Sequence, residues 1–235
     1  MLAIYKREMR SYFTSVIGYI FLVLFLAIGG GVFCLTTIYA MSSDVSSFFT
    51  YMLIFSAVML PLLTMKSFSD DRKMKTEQLL LTSPISITGM VVGKFLAAYT
   101  MFAGALIINS LYFIFLYPYA EVKTALLIGN IIALLLVGMT FVSIGIFVSS
   151  LTENQLTAAI GTMAIILLFL IIGIINQLLP SAYWLRYVFN CISVFERFQT
   201  FTNGYFDLSS VLYYFSVSAV FIYLTIRVYD RRRYN

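Results

Sequence analysis

The stretch of this chain that comes nearest to recognisable chemistry is Gly89-Met90-Val91-Val92-Gly93-Lys94-Phe95. A glycine-rich loop that cradles phosphates needs four residues between its glycines, and a Ser or Thr after the Lys to reach Mg²⁺. Here three residues separate the glycines and Phe95 follows Lys94, so both tests fail. Lys94 reads instead as an anchor at a membrane interface. Other reactive groupings are missing too. The chain has no His, 10 acidic residues and two cysteines, Cys34 and Cys191. That leaves no metal-ligand or disulfide spacing and no obvious general base. Both cysteines read as small, buried apolar side chains.

The elements that position these residues follow from hydropathy. Of 235 residues 61% are hydrophobic and 11% charged, with mean hydropathy +0.96, more apolar surface than one soluble core could bury. A hydrocarbon layer about 30 Å thick needs roughly 20 helical residues per crossing. Six stretches qualify: 16–39, 48–65, 95–116, 125–148, 156–179 and 209–226. None alternates with the period of a membrane barrel strand, so residues 1–235 are expected to form one all-α integral membrane domain. The first span is too long for a signal-peptide core and reads as retained.

Charge orients the spans. With the N-terminus in the cytoplasm, the inside segments hold Lys6, Arg7, Arg10, Lys66, Arg72, Lys73, Lys75, Lys94, Arg227, Arg231, Arg232 and Arg233. The outside segments hold Lys123, Arg186 and Arg197. Cytoplasmic loops are the ones enriched in Lys and Arg, which puts both termini inside. This bias, with anionic lipid headgroups, accounts for the basic balance without a nucleic-acid partner.

Between the spans, residues 1–15 carry Leu2, Tyr5, Met9, Tyr12 and Phe13 along one helical face, with Lys6, Arg7 and Arg10 off it. This pattern predicts an amphipathic helix lying in the inner interface. Residues 69–83 predict a short cytoplasmic helix, with Ser69 or Asp70 as N-cap and Ser83-Pro84 as its stop. Leu79, Leu80 and Leu81 cannot share one helix face, so lipid alone cannot cover them. A second short helix over 87–94 leads into the third span. The outer segment 180–208 is dense in aromatics, and Phe195, Phe198 and Phe201 predict a short helix on or dipping into the outer leaflet. Gly29-Gly30-Gly31 and Gly138, Gly145, Gly161 and Gly173 predict close helix packing. Asn109, Asn130 and Asn176 lie at or near membrane depth, where amides more often tie helices together than bind substrate.

Proton-coupled transport and intramembrane catalysis usually need ionisable groups at membrane depth. The predicted spans carry none away from their ends. Any active transport by this chain must therefore draw its energy from another subunit.

The inside loop carries a resemblance. Asp71-Arg72-Lys73, then Thr76-Glu77-Gln78-Leu79-Leu80-Leu81-Thr82-Ser83-Pro84-Ile85-Ser86, then Gly93-Lys94 resembles the signature of ABC type-2 transporter permeases. In that family an acidic-basic-basic run precedes Gly-Thr-x-Glu-x-Leu-Leu, a Ser-Pro or Thr-Pro, and finally Gly-Lys. Lys75 stands where the family usually has Gly, and Asp71 where Glu is common. The ends are similar to the gliding-motility-associated branch: Tyr5-Lys6-Arg7-Glu8-Met9-Arg10-Ser11-Tyr12-Phe13 before Gly18-Tyr19, and Phe195-Glu196-Arg197-Phe198 before Gly204-Tyr205-Phe206-Asp207.

The resemblance implies the membrane-spanning permease subunit of an ATP-binding-cassette exporter in a bacterial cytoplasmic (inner) membrane. Such a subunit has an interfacial elbow helix, six spans, and short interfacial or re-entrant helices in the last external loop. It pairs with a second permease, identical or homologous, above two ATP-binding subunits that hold ATP and Mg; no cofactor is implied in this chain. The expected ATPase-docking residues are Asp71, Arg72, Lys73, Thr76, Glu77, Leu79, Leu80, Leu81 and Pro84, with Glu153 and Gln155 as a secondary contact. The competing readings are an ion-coupled secondary transporter, which would need an embedded titratable residue or an inverted repeat, a lipid-modifying membrane enzyme, and a non-catalytic membrane scaffold.

Overall fold

Helix starts in this chain are set by short polar side chains. Ser15, Asp44, Ser86 and Ser193 each accept a hydrogen bond from a backbone N–H two or three residues on, at 3.4, 3.0, 3.2 and 3.2 Å. Each satisfies one of the donors that a helix N-terminus leaves unpaired. The computed structural model describes residues 1–42, 44–76, 86–116, 123–178 and 193–234. Among the described residues all regular structure is helical, and six helices are long and apolar enough to cross a membrane.

In chain order the helices are α1 (Leu2–Thr14), α2 (Val16–Phe33, continued by a π-helical stretch Cys34–Tyr39), α3 (Val45–Thr64) and α4 (Lys66–Lys73). Then come α5 (Ile87–Ser110, tightening to a 3₁₀ turn over Leu111–Leu116), α6 (Thr124–Leu151) and α7 (Gln155–Leu178). The short α8 (Val194–Thr202) and the long α9 (Leu208–Tyr234) complete the fold. Asp207 starts α9: the Ser210 hydroxyl and the Ser209 N–H hold its carboxyl below the usual carboxylate range.

Helix α6 is the central pillar, packed against α3, α4, α5, α7, α8 and α9. It carries no charged residue and is apolar on every side, as a helix surrounded by other helices must be. Close approach to it is made possible by missing side chains. A Cβ at Gly138 would overlap the Phe102 ring of α5, and one at Gly145 would overlap the Thr64 side chain of α3. In the periphery, Gly29 of α2 leaves room for Asn109 of α5, whose Nδ2 donates to the Phe25 carbonyl at 3.2 Å. The packing reading of these glycines and the helix-tying reading of Asn109 therefore hold.

Two expectations change. Cys34 is exposed rather than buried, because α2 is peripheral and leaves most of its apolar window uncovered by protein. Ile4 of α1, outside the expected stripe, is the helix's most buried residue, while Leu2 and Phe13 of the stripe are exposed, as side chains facing lipid would be. The cause is Gly93, whose bare backbone lets Ile4 settle against α5. The short helix expected around Phe195, Phe198 and Phe201 is α8, which buries Phe198 and Phe201 by folding onto α6 and α7. Cys191, and the part of the outer loop over residues 179–192, lie outside the described residues.

The tightness at Gly138 makes a direct prediction. Gly138→Leu should strand Phe102 off its rotamer and destabilise the fold by about 3 kcal/mol. The check is a lowered unfolding temperature of the purified protein, with Gly104→Leu, at an open position, as the tolerated control.

Candidate functional site

At the end of the bundle that carries both termini, the elements meet on one buried cation. Lys94, on the second turn of α5, is 2% exposed. Its Nζ lies 2.6 Å from Asp71 Oδ2 of α4 and 3.2 Å from Glu8 Oε1 of α1. It also donates to the Ser67 carbonyl and sits 4.7 Å from the centre of the Phe68 ring. A buried ammonium is stable only with its donors satisfied and its charge paired, and here two carboxylates and a carbonyl do both. Lys94 is thus not a snorkelling interfacial anchor but the pin of a three-helix clamp.

A second contact reinforces the clamp. Arg7 Nη2 of α1 bonds Glu8 at 2.7 Å and lies 3.7 Å from Asp71. Burial acts to lower the Arg7 pKa, but the Glu8 hydrogen bond and the charges of Glu8 and Asp71 more than offset it, so Arg7 is held charged. Beside it, burial pushes the Tyr12 phenol up, and the Glu8 charge adds to the effect. Tyr12 therefore remains a neutral donor, to the Leu63 carbonyl at 3.5 Å.

Helix α4 begins immediately after α3, separated by Met65 alone, and its start is capped from a distance. The Ser149 hydroxyl of α6 accepts from the N–H groups of Phe68 and Ser69 at 3.0 and 3.1 Å and donates to the Met65 carbonyl at 3.1 Å. Ser69 and Asp70 are therefore not caps. They lie inside α4, Ser69 buried against Ser149 and Asp70 accepting from Gln155 Nε2 and facing Lys66 at 3.7 Å. Arg72 reaches the Leu151 carbonyl at 3.0 Å and Glu153 at 2.9 Å, closing α4 onto the turn between α6 and α7. From the far side, the Phe68 ring packs tilted against Tyr229 of α9, centroids 4.7 Å apart, and Arg232 donates to the Ser150 carbonyl at 2.8 Å.

The end of α4 explains a departure noted in the sequence. The helix stops at Lys73, the Lys75 N–H donates to the Arg72 carbonyl at 3.1 Å, and Lys75 takes φ +58°. This left-handed conformation after a helix C-cap is the one glycine adopts freely. Thr76 turns its hydroxyl back to Asp71, 3.1 Å from Oδ1.

Of the residues expected to dock an ATPase, Asp71, Arg72, Thr76, Glu153 and Gln155 are brought together by contacts within the chain. Lys73 is exposed. Glu77, Leu79, Leu80, Leu81 and Pro84 lie outside the described residues. Sequence reasoning missed Glu8, Asp70 and Ser149. The available signals were an acid set among three cations on α1 and a lysine directly following Gly93 at a span's entrance, which must find a counter-ion once buried. Among the described residues there is no cluster of His, Cys, Asp and Glu fit to hold a metal ion.

Residues 2–232 match the family described as ABC-2 family transporter protein. The chain belongs to that family. ABC-2 membrane components are non-catalytic, and the ATPase of such a transporter lies in a separate subunit. No curated protein matches the chain.

Two substitutions probe the clamp. Lys94→Met keeps the bulk but leaves Glu8 and Asp71 facing each other, and should cost about 3–5 kcal/mol; Glu8→Gln added to it should restore part of that loss in a double-mutant cycle. Lys75→Gly should be neutral or stabilising by up to about 1 kcal/mol, whereas Lys75→Val should destabilise. Thermal unfolding of the purified variants reads both.

Proposed function

We propose that this chain is the permease subunit of an ATP-driven exporter, forming the path for cargo and moved by an ATPase that docks on its cytoplasmic loops. The basic end faces the cytoplasm of a bacterial inner membrane, with both termini inside. The chain works beside a second permease, identical or homologous, above two ATP-binding subunits that hold ATP and Mg. The residues at its two ends, Tyr5 to Phe13 and Phe195 to Asp207, favour the gliding-motility-associated branch.

One observation carries this reading: α4 is fastened to five other elements at once. Lys94 and Asp71 fix it to α5 and α1, Ser149 to α6, Arg72 and Asp70 to the turn leading into α7, and Phe68 to α9. A push on the exposed end of α4, at Lys73, Met74 and Lys75, would reach helices on both sides of the bundle. That end leads straight into Glu77, Leu79, Leu80, Leu81 and Pro84. The leucines supply apolar contact with the ATPase, Glu77 and Lys73 the docking register, and Pro84 closes the docking segment. Asp71, Arg72, Glu153 and Gln155 act behind this surface, holding α4 rigid so that force is passed on rather than absorbed.

Co-purification with the ATP-binding partner subunit, followed by ATP hydrolysis of the complex in vesicles, tests the proposal. Leu80→Asp should abolish co-purification, and Glu77→Lys should reduce the hydrolysis gained on assembly about tenfold or more. Normal assembly and hydrolysis in both folded variants would sink the docking site.

A further inference from the structure

At the end of the bundle opposite the clamp, α2 and α3 border a cavity of about 630 Å³ that the docking reading does not use. A short connection, residues 40–44, makes the two helices antiparallel neighbours. Positions 32, 36 and 40 share one face of α2, and 47, 51 and 55 one face of α3, as a spacing of four requires. The lining is graded along them. Ser42 and Ser47 stand nearest the connecting turn, Thr36 and Tyr51 further in, and Val32 and Phe55 deepest in the span. From Ser47 to Phe55 the α3 wall covers about 12 Å. The α2 wall is π-helical over Cys34–Tyr39, and the Ser42 N–H donates to the Thr37 carbonyl, five residues back, at 3.3 Å. Such stretches are rare and frequently occur at functional sites.

The hydroxyls of this lining are only half used. Thr36 donates to the Val32 carbonyl at 2.8 Å and Ser47 to Asp44 at 2.9 Å, which leaves their lone pairs to accept. Ser42 accepts from the Asp44 N–H at 3.2 Å, which leaves its proton to donate. The Tyr51 hydroxyl has no hydrogen-bond partner among the described residues, and its side chain is half exposed. We propose that this cavity binds an uncharged, hydroxyl-bearing lipid from the surrounding bilayer, its head toward the connecting turn and its acyl chain against Val32 and Phe55. An alcohol both donates and accepts, as these four hydroxyls together require, whereas a carboxylate only accepts and an ammonium only donates. None of the described lining residues is charged. Asp44, bonded to Ser47, disfavours an anionic head. The deep end selects a lipid over a small soluble alcohol. Leu35 and Phe55 line it while remaining open to the outside of the bundle, so an acyl chain enters along apolar surface. Binding by the chain alone is all the proposal requires, so it stands apart from the ATPase-docking reading.

The test uses the full-length chain in phosphatidylcholine nanodiscs, photolabelled with monooleoylglycerol that carries a diazirine in its acyl chain. Peptide mass spectrometry should find the label concentrated on residues 32–40 and 47–55, although phosphatidylcholine is in large excess. Unlabelled monooleoylglycerol should compete the label away. Monooleoylglycerol 3-phosphate, the same molecule with an anionic head, should need about tenfold more. Tyr51→Phe, which removes only a hydroxyl, should weaken labelling about fivefold in concentration. Ala40→Phe, which fills the cavity from the α2 wall, should abolish it, and Ile160→Phe, on the exposed face of α7, should leave it unchanged. If Ala40→Phe does not fold, Thr36→Val should weaken labelling about fivefold in its place. Label spread evenly over the exposed spans, or labelling unmoved by these cavity variants, would overturn the site. Equal competition by the phosphorylated lipid would overturn the selection of an uncharged head.

Discussion

The Lys94 ammonium stands where an apolar helix enters the bundle, and the basic end is arranged around satisfying it. An unpaired ammonium buried to this degree would cost several kcal/mol, and no single neighbour removes that cost. Asp71 supplies one counter-charge from α4, Glu8 another from α1, and the Ser67 carbonyl takes a further donor. Each partner lies on a different helix or a different turn of the same helix. The positions of α1, α4 and α5 are therefore mutually conditional: displacing any of them strands a charge belonging to another. Arg7, drawn to the same two carboxylates, balances the second negative charge and completes a compact network of two cations and two anions.

The opposite end is held by other means. There the rings of Phe33, Phe48 and Phe113 meet edge to face with centroids 5.1 to 6.4 Å apart, and Tyr214 is buried with its hydroxyl on the Val194 carbonyl at 2.9 Å. Aromatic packing tolerates small sliding, since edge-to-face contacts have broad optima. A charged network with short, directional bonds does not. The two ends are thus fastened differently, the basic end by directional charged bonds and the other by ring packing. Between them α6 joins the two ends, packing against six other helices and carrying no charge of its own.

How much of this was written legibly in the sequence depends on the range of the interaction. The six long helices were readable because crossing a hydrocarbon layer demands about 20 apolar residues whatever the neighbours do. The family, too, was readable from the local run around Asp71 to Lys94. The clamp was not, because its members lie far apart: Glu8 and Lys94 are on different helices, and Ser149 acts on N–H groups 80 and 81 residues away. Local capping rules pointed to Ser69 or Asp70, and a distant hydroxyl took that role instead. Lys75 is the opposite case. The oddity was visible as a lysine in place of glycine, but its meaning, a left-handed turn closing α4, needed the backbone. Cys34 and Ile4 were misplaced for a related reason: periodicity gives a helix two faces, and only its neighbours decide which one is covered.

The capping of α4 by Ser149 also has a bearing on how the protein is made. During synthesis the first two spans and the corner after them leave the ribosome well before the fourth span does. Until that later helix arrives, the N–H groups of Phe68 and Ser69 have no hydroxyl to meet, and the corner stays unfinished. Helix α4 is therefore completed only after more than half of the chain has been inserted, so an arrested, half-made copy carries its corner unfinished.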